Sequence, residues 1–271
     1  MNDINRRFFS PEQKVAILRE HLLEGKAVSD LCEKHRIHPT VFYQWQRQFF
    51  ENGTAAFESK QSRSRVSDAR QAKLGQPASP DEALAELLAG NKRYVTGQNI
   101  HHDFGPERPA LAQRQHPFAI ILGCADSRVA PEMAFDQTRG RLFVIRLAGN
   151  FVDDDGLASI EYGATVLGAF LIIILGHNEC GALKAAVDVV TKNAQLPGHL
   201  PELIAHLKAP VEKAQRETGS LVDNAIRQNV LLNVETLRNS EPVLADLIKQ
   251  NRLRVVGCRY DLATGRVQVL S

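Results

Sequence analysis

Long apolar runs are missing from this 271-residue sequence. The longest, Ala169 to Leu175, falls far short of the roughly 18 residues that a transmembrane helix needs and reads as a buried strand. No apolar stretch follows the basic pair Arg6-Arg7, so neither secretion nor membrane insertion is indicated, and the cytoplasm is the expected compartment. Cysteine is scarce. Four residues in a chain of this kind are poor evidence for disulfides, which leaves metal ligation, catalysis or plain burial. With 18 Gly, 12 Pro and no repeat, collagen-like and low-complexity readings fail, and an apolar content of 44% excludes a wholly disordered chain.

What is present is unevenly distributed. The chain exceeds the usual single domain of about 100 to 200 residues, so two domains are expected. Residues 1–75 carry 13 Lys and Arg against 9 Asp and Glu, whereas the rest carry 20 against 22. The basic character therefore belongs to the front. Between Glu58 and Pro80 the sequence is rich in Ser, Arg and Gln and offers little to bury. This divides the chain into a front domain (1–58), a linker expected to be mobile (59–78) and a main domain (79–271).

In the front domain, Ser10-Pro11-Glu12-Gln13 is a helix start, with Ser10 as N-cap, Pro11 in the first turn and Gln13 closing a capping box. That helix should run to about Glu24, with Val15, Leu18 and Leu22 inward and Gly25 as its stop. A short helix from Val28 to about His35, with Leu31 and Cys32 inward, precedes a tight turn. A third helix opens at Pro39 with Val41, Phe42, Trp45 and Phe49 on its apolar face. This is the layout of a helix-turn-helix, in which exposed Thr40, Tyr43, Gln44, Arg47 and Gln48 are the candidate DNA-contacting residues. The aromatic stripe is a core in either case and says nothing by itself about DNA. The run from Arg6 through Phe49, with its Tyr43-Gln44-Trp45, resembles the helix-turn-helix of insertion-sequence transposases over roughly residues 5–58. Nothing after it resembles a transposase catalytic core.

From Ser79 the pattern changes. A helix opens at Ser79-Pro80-Asp81-Glu82, with Leu84, Leu87 and Leu88 inward. Apolar segments at Phe118–Gly123, Leu142–Ile145, Phe170–Gly176 and Leu253–Val256 alternate with helical ones at Gly156–Leu167, Gly181–Val190 and Leu221–Arg238. The expectation is an α/β fold, a mostly parallel sheet covered by helices, preceded by the small all-α domain. Chemistry in such sheets gathers at the C-terminal ends of strands. Two segments end there in metal-competent residues: Cys124-Ala125-Asp126-Ser127-Arg128 and His177-Asn178-Glu179-Cys180. Two thiolates and an imidazole favour Zn²⁺, and three protein ligands leave a fourth position open for catalysis. Cys32 and Cys258 have no partners at ligand spacing and read as packing. His101-His102 reads as a surface pair, Gly149 and Gly163 as close-approach or turn positions, and Asp153-Asp154-Asp155 as the cap of the next helix.

Cys-x-Asp-x-Arg followed by His-x-x-Cys resembles the signature of the beta-carbonic anhydrases. Matching features extend the resemblance over about residues 79–271: Arg146-Leu147-Ala148-Gly149-Asn150, Ser159-Ile160-Glu161-Tyr162 and the closing Gly257 to Gly265. The resemblance implies zinc held by Cys124, His177 and Cys180, and hydration of CO₂ to bicarbonate. Asp126 would orient the zinc-bound hydroxide and Arg128 would hold Asp126. It also assigns Gln115, Phe143, Tyr162 and Gly181 to the substrate side, with apolar positions shared by a partner subunit, hence a homodimer or tetramer. Some members close the site by swinging the aspartate onto zinc, next to a bicarbonate pocket of Trp, Arg and Tyr. Arg146 and Tyr260 match that pocket, but Ile121 stands in place of the Trp, which favours an open site with Asp126 as fourth ligand only in a closed form. The leading expectation is an enzyme. The alternatives are a DNA-binding regulator whose zinc domain senses CO₂ or bicarbonate, and an enzyme carrying an inert fusion.

Overall fold

A computed structural model of the chain describes residues 9–51, 75–100, 102, 108–109 and 111–271. It divides into two units, Met1–Ala69 and Arg70–Ser271. Most of the expected linker, and Arg6-Arg7 and His101, lie outside the described residues.

The first unit contains α1 (Pro11–Leu22), α2 (Val28–His35) and α3 (Pro39–Glu51). The capping box forms as read: Gln13 N donates to Ser10 Oγ, and Ser10 N donates to Gln13 Oε1. Ile17, Leu18, Leu31, Cys32, Phe42 and Trp45 make the core, and Phe9 meets the Trp45 ring edge-on at 5.2 Å. Two expected inward positions are wrong on α1, where Val15 is 47% and Leu22 38% exposed. The buried stripe is centred between Ile17 and Leu18, and at about 100° per residue both misplaced side chains fall on its flank. Phe49 is likewise exposed, because α3 runs one turn beyond Trp45, its last buried position. Thr40, Tyr43, Gln44, Arg47 and Gln48 are all exposed.

In the second unit, α4 (Pro80–Val95) precedes a five-stranded sheet. Its elements are β1 (Ala119–Cys124), α5 (Pro131–Ala134), β2 (Leu142–Leu147), α6 (Asp154–Thr165), β3 (Leu171–His177), α7 (Gly181–Lys192), α8 (Leu200–Ala205), α9 (Lys208–Ala214), α10 (Leu221–Arg238), α11 (Val243–Lys249), β4 (Arg254–Tyr260) and β5 (Val267–Val269). Strand order is β2-β1-β3-β4-β5, parallel throughout except for β5, which the sequence did not signal. Every residue of β1 and β3 is buried, as expected of central parallel strands covered on both faces. Alternate side chains go to opposite sides. Ile121, Ile173, Leu175 and Val256 pack with Leu87 of α4, whereas Ile120, Leu122, Ile172 and Ile174 pack with Ile160 of α6 and Val230 and Val234 of α10. Asp153 caps α6 by accepting from Gly156 N at 2.7 Å. His102 departs from the surface reading: its side chain is 12% exposed, with Nε2 3.4 Å from Oδ1 of Asp136. Asp136, itself buried, also accepts from Arg93 and from Ile100 N, so it ties α4 and the segment after it to the turn that follows α5.

Candidate metal centre

β1 and β3 are neighbours, paired up to Gly123 beside Leu175, so their last residues bring Cys124 and His177 to the same edge of the sheet. The chain then turns through Asn178 and Glu179, the latter at φ 58°, and delivers Cys180 as the N-cap of α7. The turn is fixed from a distance. Asn178 Nδ2 donates to Asp261 Oδ2 at 3.0 Å, and its Oδ1 accepts from Leu262 N at 2.8 Å, in the loop that follows β4.

The three candidate ligands meet. Their donor atoms lie within 4.8 Å of one another, and all three residues are buried. The two Sγ atoms are 3.9 Å apart, against about 3.8 Å for two sulfurs on a tetrahedral ion with Zn–S near 2.3 Å. His177 Nδ1 lies 2.8 Å from the Asn178 carbonyl, which can only accept, so that contact places the proton on Nδ1 and leaves a lone pair on Nε2. Nε2 is fully buried and has no hydrogen-bond partner. An orphaned imidazole nitrogen between two thiols fits a zinc ion. The thiols share charge: Cys124 is drawn below the ordinary range, chiefly by the hydrogen bond from Cys180, while Cys180 is pushed up by Cys124 and by burial.

Beside them, Asp126 and Arg128 form a close pair. Arg128 Nε and N both donate to Asp126 Oδ1 at 2.9 Å, and Nη2 donates to Oδ2 at 2.7 Å. These bonds, the side-chain one first, hold the Asp126 carboxyl well below the usual carboxylate range. Oδ2 lies 4.0 Å from His177 Nε2. Arg128 also reaches the Glu179 carbonyl at 3.3 Å, so it links the two ligand loops. Arg146 braces the first loop by donating to the carbonyls of Cys124 (3.0 Å) and Asp126 (2.6 Å). These donors are therefore occupied. Ile121 is fully buried in the core, and the Tyr260 hydroxyl faces that of Tyr94 at 3.4 Å.

The remaining substrate-side positions divide. Gly181 opens α7 directly after Cys180, and a Cβ there would meet nothing within 4 Å. Gln115 lies before β1, at the opposite end of that strand from Cys124. The five steps from Ala119 to Cys124, at about 3.3 Å each, keep it away from the cluster of its own chain. Phe143 pairs in register with Ile120, again early in the strand, and its ring lies 6.2 Å from that of Tyr162, which is 47% exposed. Asn178 and the buried Asn229 and Asn233 of α10 are supports that the sequence reading did not assign, and Arg146, matched there to a bicarbonate pocket, instead braces loop carbonyls.

The sequence profile described as carbonic anhydrase matches residues 119–267. The carbonic anhydrase of Mycolicibacterium smegmatis is 37% identical over 195 residues, covering 72% of this chain and 95% of that protein. The chain belongs to the beta-carbonic anhydrase family. A carbonic anhydrase of Pseudomonas aeruginosa is 36% identical over 172 residues, 59% of this chain and 76% of that protein. A solved structure from work on two tetrameric beta-carbonic anhydrases of the filamentous ascomycete Sordaria macrospora superposes with a TM-score of 0.56 at 26% identity, covering 70% of this chain and 94% of that one. A second profile, described as transposase, matches residues 4–93. Its far end runs into α4, yet that helix is part of the carbonic anhydrase fold, since Asn91 Nδ2 donates to the carbonyls of Ala134 and Gly265 at 2.8 Å each.

Proposed function

We propose that this carbonic anhydrase hydrates CO₂ reversibly to bicarbonate and a proton, with zinc held by Cys124, His177 and Cys180 and with Asp126 and Arg128 as the orienting pair. The observation that carries this reading is the buried, unpartnered His177 Nε2 between two thiols and beside an ionised carboxylate. Zinc held there supplies a nucleophilic water near neutral pH. The protein aims it. Asp126, ionised, can only accept, so a water hydrogen-bonded to Oδ2 presents its free lone pair to the substrate carbon. Arg128 occupies the outer sides of both carboxylate oxygens and leaves the face of Oδ2 toward His177 for that water. Gly181 leaves open space beside Cys180 for the substrate. With Asp126 held in this way and Arg146 committed to backbone carbonyls, we take the open arrangement as the working state, and Asp126 as a fourth ligand only in a closed form.

Gln115, Phe143 and Tyr162 lie away from the ligand cluster of their own chain, and β2 is an edge strand. This supports a homodimer or tetramer in which they line the site of a neighbouring copy. Four free cysteines suit a reducing, cytoplasmic setting, and among the described residues no helix is long and apolar enough to cross a membrane. The exposed row on α3 supports DNA contact by the first unit through Thr40, Tyr43, Gln44, Arg47 and Gln48. The sensor-only alternative is weakened by the intact Asp126–Arg128 pair, which turnover needs and binding alone does not.

Stopped-flow CO₂ hydration together with metal analysis tests the reading. The parent should hold one zinc per chain, and Cys180→Ser should lose most of it along with activity. Full zinc content in Cys180→Ser would remove the ligand assignment.

A further inference from the structure

Helix α10 passes behind the metal centre and carries two buried amides one turn apart, Asn229 and Asn233, exposed by 1% and 8%. Polar side chains this deep are costly unless fully hydrogen-bonded. Theirs are made to each other and to a single loop. Asn229 Nδ2 donates to the Gly149 carbonyl at 2.8 Å. Asn233 Oδ1 accepts from Val152 N at 2.8 Å, and its Nδ2 donates to the Asn229 carbonyl at 2.7 Å and Oδ1 at 3.1 Å. The loop is thus held at both ends, at its first carbonyl and at an N–H three residues on.

Gly149 N donates to Cys124 Sγ at 3.3 Å. Gly149 sits at φ +94°, a conformation that L side chains avoid, and a Cβ there would lie 2.7 Å from Leu207 Cδ1. With the carbonyl held by Asn229 and the backbone at this glycine-only torsion, the N–H faces away from the helix. It points to the ligand sulfur.

We propose that Asn229 and Asn233 are positioning residues that hold the Gly149 N–H against the Cys124 sulfur and thereby set how strongly that sulfur donates to a bound metal. This rests on the zinc-centre reading. A hydrogen bond withdraws electron density from a thiolate, so its loss makes the sulfur a stronger donor and loosens its placement. Outer partners of this kind typically change metal affinity or activity by about 10- to 100-fold.

The test replaces zinc with Co²⁺ in the full chain and reads the sulfur-to-cobalt charge-transfer band, which reports sulfur donation directly. Asn229→Ala should move the band to longer wavelength, the shift expected of a sulfur that has lost its hydrogen bond. Asn233→Leu, which keeps the Asn229 bond but frees the far end of the loop, should shift the band less in the same direction. Leu237→Ala controls for stability: Leu237 is fully buried on the same helix two turns on, and its loss should lower the melting temperature and leave the band in place. A parent band in folded Asn229→Ala overturns the proposal. Should that variant not fold, a parent band in Asn233→Leu does the same. A parent protein that takes up neither Co²⁺ nor zinc would instead overturn the metal centre itself.

Discussion

A carboxylate that must accept a hydrogen bond from a reacting water has to stay ionised and stay in place, and Asp126 receives both from Arg128. The guanidinium donates to both carboxylate oxygens, at 2.9 and 2.7 Å, and the Arg128 N–H adds a third bond to the same group. Asp126→Asn keeps the shape but turns one oxygen into a donor that either faces the Arg128 donors or points at the water with the wrong polarity. The variant should retain zinc, because none of the three proposed ligands changes, and lose CO₂ hydration by about 100-fold or more. Undiminished turnover measured by stopped flow would remove Asp126 from the mechanism. The meeting of Cys124, His177 and Cys180 and the proposed role of this pair were readable in the sequence because Cys, His, Asp and Arg carry the chemistry themselves and cluster at two strand ends. The bracing work of Asn178 and Asn229, and of Arg146, which the resemblance had placed in a bicarbonate pocket, was not. That work is done on backbone groups 20 to 84 residues away, and nothing local marks it.

Elements were legible where burial is nearly complete. β1 and β3 are continuous apolar runs because both sheet faces are covered, and their ends could be read within a residue or two. β5 is three half-exposed residues and leaves no pattern to read. The exposed side of α1 is legible in another respect, through charge. Glu20 accepts from Lys26 at 2.8 Å and from Lys34 at 3.0 Å, which ties α1 to α2 and to the turn between them. These bonds, Lys26 first, hold the Glu20 carboxyl down to about 2. A depressed carboxylate contributes stability that is complete above its ordinary range near 4.5 and lost as pH falls toward 2. The only tryptophan, Trp45, lies in this core and reports on it alone. Thermal melts followed by Trp45 fluorescence should show Glu20→Gln below the parent at pH 6, with the gap closing between about pH 4.5 and 2. A gap that does not change with pH would mean that the ion pairs contribute nothing to the fold of this unit.

At the scale of the whole chain, the buried clusters of the two units share no residue: one is built around Phe42 and Trp45, and three lie in the second unit, two on the faces of the sheet and one among the helices that follow β3. Charge is divided as well. Within residues 9–51 basic and acidic side chains balance, so the surplus of the first 75 residues lies in 1–8 and 52–74. DNA affinity in this protein therefore needs more than the reading face of α3, where Arg47 is the only cation. We expect the full chain to bind duplex DNA weakly and with a steep dependence on salt, because flanking Lys and Arg residues supply phosphate contacts that release counterions. Arg47→Ala should weaken that binding further. Deleting residues 1–74 keeps Gly75, whose carbonyl accepts from Arg141 Nη2, and should leave zinc content, CO₂ hydration and assembly state as in the parent while abolishing DNA binding. Gel shifts at low salt, metal analysis and stopped-flow rates on the two proteins decide the matter. A truncated protein that is insoluble or inactive would show that the catalytic unit depends on the helical one, and a full chain that shifts no duplex at low salt would leave the helical unit without a role on DNA.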